Sequence, residues 1–138
     1  MDYSTFTHNN FFIKKDSTLP ELKYELTQHL REQYDITPDM LENVAVTFSM
    51  TEDDTGMYRV ANAAANLVVS NNRPEYPDEV QYTLVFRFKL HHTRKAGRYK
   101  AELVIDFLGK TGCGKIKFPI NDVINVTITD SITKTTVI

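Results

Sequence analysis

The chain has 138 residues, 16 of them basic and 18 acidic, for a formal net charge of −2. That length suits one ordinary domain, which buries roughly 70% of its unfolded surface and needs neither disulfide nor metal to fold. The near-neutral charge gives no overall attraction to nucleic acid or to an anionic membrane, and the single cysteine, Cys113, excludes a cystine-stapled module.

No run reaches the roughly 18 consecutive apolar residues of a bilayer-spanning segment. The opening MDYSTFTHNN lacks the basic and apolar regions of a signal peptide, so synthesis in a cytosol is expected. Val, Ile, Thr, Tyr and Phe are abundant, the residues that suit a pleated, half-buried surface. There is no Trp, and no repeat with a period of about 20–50 residues.

In chain order, residues 1–10 are polar apart from Tyr3 and Phe6 and read as an extended arm, ordered only when something receives it. A short strand is predicted from Phe11 to Lys14, then a turn at Asp16–Pro20, where Pro20 interrupts any ladder. Leu22, Tyr24 and Leu26 alternate with Lys23, Glu25 and Thr27, which is a strand with one buried face. Thr37-Pro38-Asp39 has the form of a helix start, with Thr as N-cap, Pro in the first position and an acid in the first turn. One or two helical turns are expected there, docked through Met40 and Leu41.

Val44, Val46, Phe48 and Met50 alternate with Ala45, Thr47 and Ser49 in a further strand, and Glu52 to Gly56 is a reverse-turn cluster. Met57 to Val69 reads as two short strands with an Ala-rich break at Ala63 to Ala65. A helix is the rival reading, and the β-branched ends favour strand. Two prolines and two asparagines make 71–78 a surface loop.

Four more alternating sets follow: Tyr82, Leu84, Phe86 and Phe88; Tyr99, Ala101, Leu103 and Ile105; Ile116, Phe118 and Ile120; Ile124, Val126 and Ile128. A glycine-rich hairpin at Gly109 to Gly114 joins two of them. Short strands between turn signals, each with one wet face, predict an all-β fold: an immunoglobulin-like antiparallel β-sandwich with one short helical turn. The sandwich is expected to span 11–130, preceded by the arm and followed by a tail at 131–138.

Few residues suggest chemistry. His91 and His92 are adjacent, and on an extended segment they point to opposite faces and cannot chelate one ion. His8 and His29 lie elsewhere, so no metal is expected. Cys113 sits between glycines, but no motif supplies the base or the lowered pKa of a nucleophile, and the glycine run lacks the ending of a phosphate loop. Glu52, Asp53 and Asp54 read as a solvated turn without the alternating ligands of a calcium loop. Asn125-Val126-Thr127 matches a glycosylation sequon, discounted without a secretory signal.

The one charge patch is Lys89 to Lys100, with Lys89, Arg94, Lys95, Arg98 and Lys100 around a turn at Gly97. It suits an acidic partner surface, less well nucleic acid, and is otherwise a solvated connection between strands. The stretch from Ile132 to Ile138 is β-prone without an evident partner, a template for strand addition. The candidate partner-binding residues are therefore Tyr3 and Phe6 in the arm, Lys89, Arg94, Lys95 and Arg98 in the basic connection, and Val137 and Ile138 in the tail.

Four segments, FFIKKDSTLPELKYEL, DITPDMLENVAVTFSM, AGRYKAELVIDFLG and KIKFPINDVINVTITDS, together resemble the N-terminal domain of phage baseplate upper proteins. The likeness runs over roughly residues 11–130. It rests on the Asp16, Thr18, Pro20 turn, the Ile36-Thr37-Pro38 corner, the strand Gly97-Arg98-Tyr99-Lys100-Ala101-Glu102, and Phe118-Pro119-Ile120-Asn121-Asp122, the last two being the more specific. The resemblance implies a structural β-sandwich of a tailed-phage virion, with no catalytic residues and no cofactor. In that family the domain usually begins a longer protein that anchors receptor-binding parts. Here the chain stops just after the final strand, so the expectation is an adaptor, collar, baseplate or decoration subunit. Its partners would be other virion proteins in multiple copies, with no nucleic acid and no membrane, and its place the virion after synthesis in the host cytoplasm. The alternative is a carbohydrate- or receptor-binding sandwich module, for which Tyr34, Tyr58 and Tyr76 are the candidate platforms.

Overall fold

The computed structural model describes residues 9–26, 38–71, 75, 80–108, 114–119 and 122–132. Among them run eight strands: β1 (Asn10–Lys14), β2 (Leu22–Glu25), β3 (Ala45–Glu52), β4 (Tyr58–Ser70), β5 (Gln81–Phe86), β6 (Gly97–Asp106), β7 (Lys115–Phe118) and β8 (Ile124–Thr129). The helical content is two short 3-10 turns, Pro38–Leu41 and Leu90–Thr93. The first is the expected helical turn. The second falls where an open connection was expected.

The strands follow the order β1-β8-β6-β3-β4-β5-β2, with β7 beside β6, in a sheet nearly closed into a barrel. The expected antiparallel pairing holds except at β1, which runs parallel to β8, Phe11 opposite Val126 and Ile13 opposite Ile128. A parallel pair needs a long crossover, and here the rest of the domain lies between the two strands. On the edge of β6 away from β3, β8 pairs with Gly97–Ala101 and β7 with Leu103–Asp106. Pro119, which has no N–H to offer a ladder, follows β7 directly.

β4 corrects the expected break at Ala63 to Ala65. It is one continuous strand, and it is the pairing partner that changes. Residues from Tyr58 to Ala65 pair with β3, and Asn66 to Ser70 pair with β5. The ladder to β3 slips between Phe48 and Met50, and Asn62 takes a left-handed φ of 51°. Asn tolerates that region better than most residues. Its N–H donates to Ser49 Oγ at 2.9 Å and the Ser49 hydroxyl donates back to Asn62 Oδ1 at 3.2 Å. This irregularity lies just before β4 changes partner, and such bulges kink a strand and increase its twist locally. Ala63 and Ala65 pack on the core there with minimal bulk.

The core follows the alternation. Phe11, Ile13, Leu22, Tyr24, Val46, Phe48, Met50, Leu84, Phe86, Phe88, Tyr99, Leu103, Ile105, Phe118, Ile124, Val126 and Ile128 are all buried. Each large side chain so buried contributes about 1.5–3 kcal/mol relative to exposure. Phe48 stacks on Phe86 with ring centroids 4.2 Å apart, and Phe88 meets both edge-on. Phe11 of β1 stacks on Phe88 at 5.7 Å, and Tyr24 of β2 lies 5.9 Å from Phe118 of β7. The two strands that end the sheet are thus tied across the interior by aromatic rings.

Candidate functional site

Two segments that read separately in the sequence come together at one end of the barrel. β3 and β6 pair so that Thr51 faces Lys100 and Glu52 faces Tyr99. This sets the acidic turn after β3 against the basic stretch that leads into β6. Asp53 N–H donates to the Arg98 carbonyl at 3.0 Å, and Lys100 Nζ lies 3.2 Å from the Asp53 carboxylate. Between the segments is a cleft of about 290 Å³, lined by Glu52, Asp53, Asp54, Lys95, Arg98 and Tyr99.

Glu52 organises the cleft. Its side chain is only 13% exposed. The Thr55 hydroxyl donates to Oε1 at 3.0 Å, Lys95 Nζ lies 3.4 Å from both oxygens, and Arg59 Nη2 reaches Oε2 at 3.5 Å. The Thr55 hydrogen bond, followed by Lys95 and Arg59, holds the carboxyl below its ordinary range against the opposing effect of burial. Tyr99 donates its hydroxyl to the Lys95 carbonyl, and burial pushes its phenol up. Arg59 Nε is buried without a hydrogen-bond partner, so this guanidinium leans on its Nη2 contact with Glu52. These groups hold one another. Such an arrangement fixes the shape and charge of a surface; it does not set a nucleophile beside a base.

The basic patch is therefore divided. Lys95 and Lys100 are spent on Glu52 and Asp53. Arg94 and Arg98 are exposed. Lys89 is exposed too, and its backbone carries a structural role: its N–H donates to Nδ1 of His92 at 3.0 Å and its carbonyl accepts from His92 N–H at 2.9 Å. Gly97 begins β6 and does not mark a turn; the turn lies at Leu90–Thr93. The solvated-connection reading also fails for His92 and Thr93, which are buried at 6% and 0% exposure.

The histidine pair needs a second correction. Because the segment is a 3-10 turn and not extended, the rings of His91 and His92 approach to 4.1 Å. Among the described residues, no group of three or more His, Cys, Asp or Glu is placed to hold a metal ion. No helix among them is long and apolar enough to cross a membrane. Tyr3, Phe6, Val137 and Ile138, like Cys113, Tyr34 and Tyr76, lie outside the described residues.

Sequence reasoning named Tyr58 only as a candidate sugar platform and passed over Met57 beside it. Met57 and Tyr58 are 66% and 68% exposed at the start of β4, next to the charged cleft. Tyr58 stands opposite Thr51 and lines a shallow groove of about 240 Å³ with Ser49, Lys100 and Glu102. The signal was available: an apolar pair directly after a turn, on a strand whose buried face begins only at Val60.

No protein family, curated protein or solved structure matches this chain.

Proposed function

We propose that this chain is a non-enzymatic structural subunit of a tailed-phage virion, present in multiple copies, that docks other virion proteins as an adaptor, collar, baseplate or decoration protein. The observation that carries the reading is the Met57–Tyr58 pair, a large exposed apolar and aromatic patch beside Lys100 in the groove and Asp53, Lys95 and Arg98 in the cleft. An aromatic anchor flanked by charge is the composition of a protein–protein contact, in which Tyr and Arg carry much of the energy. The mutual engagement of Glu52, Arg59, Lys95 and Tyr99 makes that cleft stiff, which lowers the entropy lost on docking. The resemblance to baseplate upper proteins supports the same reading. One of its two more specific motifs, Gly97 to Glu102, supplies Arg98, Tyr99 and Lys100 to this end of the sheet. Within this proposal the fold is an immunoglobulin-like sandwich: β1, β8, β6, β3 and the first half of β4 form one layer, and the rest of β4 with β5 and β2 the other.

Photo-crosslinking from position 58 in intact particles tests the docking face. The expected product joins this chain to another virion protein, and a chain that forms no crosslink from that position contradicts the proposal.

The second reading is a carbohydrate-binding module, favoured by Tyr58 standing over Ser49, Thr51 and Glu102 in one groove. A glycan-array signal lost on Tyr58→Ala would select it over the first.

A further inference from the structure

His92 and Thr93 are neighbours in the turn between β5 and β6, and each does something the fold does not otherwise require. The His92 ring is wedged against Phe86 and Phe88, with centroids 5.8 and 6.3 Å away. Its Nδ1 accepts the Lys89 N–H. A ring that accepts at Nδ1 carries its proton on Nε2 and is neutral. Thr93 clamps the chain leaving β1. Its hydroxyl donates to the Ser17 carbonyl at 2.8 Å and accepts from Ser17 N–H at 3.1 Å, and its own carbonyl accepts from Asp16 N–H at 3.0 Å. One short turn thus joins a buried imidazole to the fastening of the N-terminal strand.

We propose that the Leu90–Thr93 turn is an acid-operated latch: a proton on Nδ1 of His92 breaks the bond from Lys89, opens the turn and frees the Asp16–Ser17 connection from Thr93. Nδ1 has no room for that proton while the Lys89 N–H points at it. The groups that bear on the ring offer no compensation. His91 and Lys89 at the turn and Arg59 on β4 all disfavour the imidazolium, and the end of β5 and the residues after it present the apolar rings of Phe86 and Phe88. The β1–β2 connection contributes Asp16, bound beside Thr93 through its backbone N–H. Burial first, and then those cations, lower the imidazole to about 4, so the latch is closed at neutral pH. With it open, β1 keeps the β8 ladder, the Lys15 N–H bond to the Thr129 carbonyl and the burial of Phe11 and Ile13, and loses its fastening to the Leu90–Thr93 turn. Release of an outermost strand uncovers the edge of the next one, here β8, which is a template for a strand from another chain.

Two-dimensional NMR of the isotope-labelled chain from neutral pH down to about 3.5 tests this, with the ring protons of His92 and amide exchange, corrected for intrinsic rates, read together. The Asp16 and Ser17 amides should lose protection by ~10-fold or more as His92 titrates, while Phe48 and Leu103 keep theirs. Asn at position 92 can still accept from Lys89 but has no proton to gain, so His92→Asn should stay latched through the same range. Thr93→Val removes the hydroxyl clamp and should expose Ser17 at neutral pH. Continued protection of Asp16 and Ser17 after the ring has titrated would overturn the latch, as would wild type and His92→Asn opening at the same pH. If His92→Asn does not fold, the wild-type titration and Thr93→Val decide between the same two outcomes.

Discussion

The sharpest test of the packing is Phe86→Ala set against Arg87→Ala. The two positions are adjacent, and the alternation assigns them to opposite faces. Phe86 is buried at 2% exposure, stacked on Phe48 at 4.2 Å and met edge-on by Phe88 at 5.0 Å. Truncation to Ala removes about 2 kcal/mol of burial. It also leaves a hole of roughly 100 Å³, worth about 2 kcal/mol more at the usual cost per unit of cavity volume. The expected loss is about 4 kcal/mol, within the range of about 3–5 for buried Phe→Ala. With an m-value of about 2 kcal/mol/M, that moves the urea midpoint by roughly 2 M. Arg87 has a side chain 61% exposed and a 3.6 Å ion pair to the half-exposed Glu21. Such pairs are weak, so Arg87→Ala should cost under about 0.5 kcal/mol. Urea unfolding followed by circular dichroism measures both. Equal losses would refute the one-wet-face reading of β5. A double-mutant cycle on Phe48 and Phe86 should return a coupling of about 0.5–1.5 kcal/mol for the stacked rings.

Three further outcomes follow. Tyr99→Phe removes the hydroxyl donated to the Lys95 carbonyl and should lower stability by about 1 kcal/mol, measured by thermal melting. Asn62→Val places a β-branched residue at a left-handed φ and should cost about 1–2 kcal/mol, whereas Asn62→Gly should cost less, in the same assay. Because folding lowers the His92 pKa from 6.5 to about 4, its contribution is complete above about 6.5 and falls with decreasing pH until it is gone near 4. The loss is at most about 3 kcal/mol, and roughly half that allowing for solvent screening at a turn near the surface. Urea midpoints at a series of pH values check the sign, and His92→Asn should flatten the slope.

The strands were legible because their buried faces repeat at period two: Leu22 and Tyr24, Phe48 and Met50, Leu103 and Ile105 all lie where alternation puts them. What alternation does not carry is who pairs with whom. The Ala63–Ala65 stretch looks like an interruption in one dimension, and in three it lies where β4 exchanges β3 for β5. The parallel pairing of β1 with β8 joins opposite ends of the chain and has no local signature. The site was obscured for the same reason. Glu52 and Lys95 each look like surface charge until β3 and β6 pair and bring them within 3.4 Å. His92 and Thr93 were misplaced because a 3-10 turn buries them inside a stretch whose composition is that of an exposed loop.

We propose that this domain is a virion building block docked through its Met57–Tyr58 face. Quantitative mass spectrometry of purified phage-like particles, assembled with wild-type chain or with Tyr58→Asp, tests it most directly. Tyr58 is exposed, so its substitution should leave the isolated domain folded, with a stability change of under about 0.5 kcal/mol. Wild-type chain is expected in the particles at a fixed multiple-copy ratio to the other structural proteins, with the particles depleted of the Tyr58→Asp chain. Wild-type chain recovered only free of particles, or incorporation unaffected by Tyr58→Asp, would contradict it.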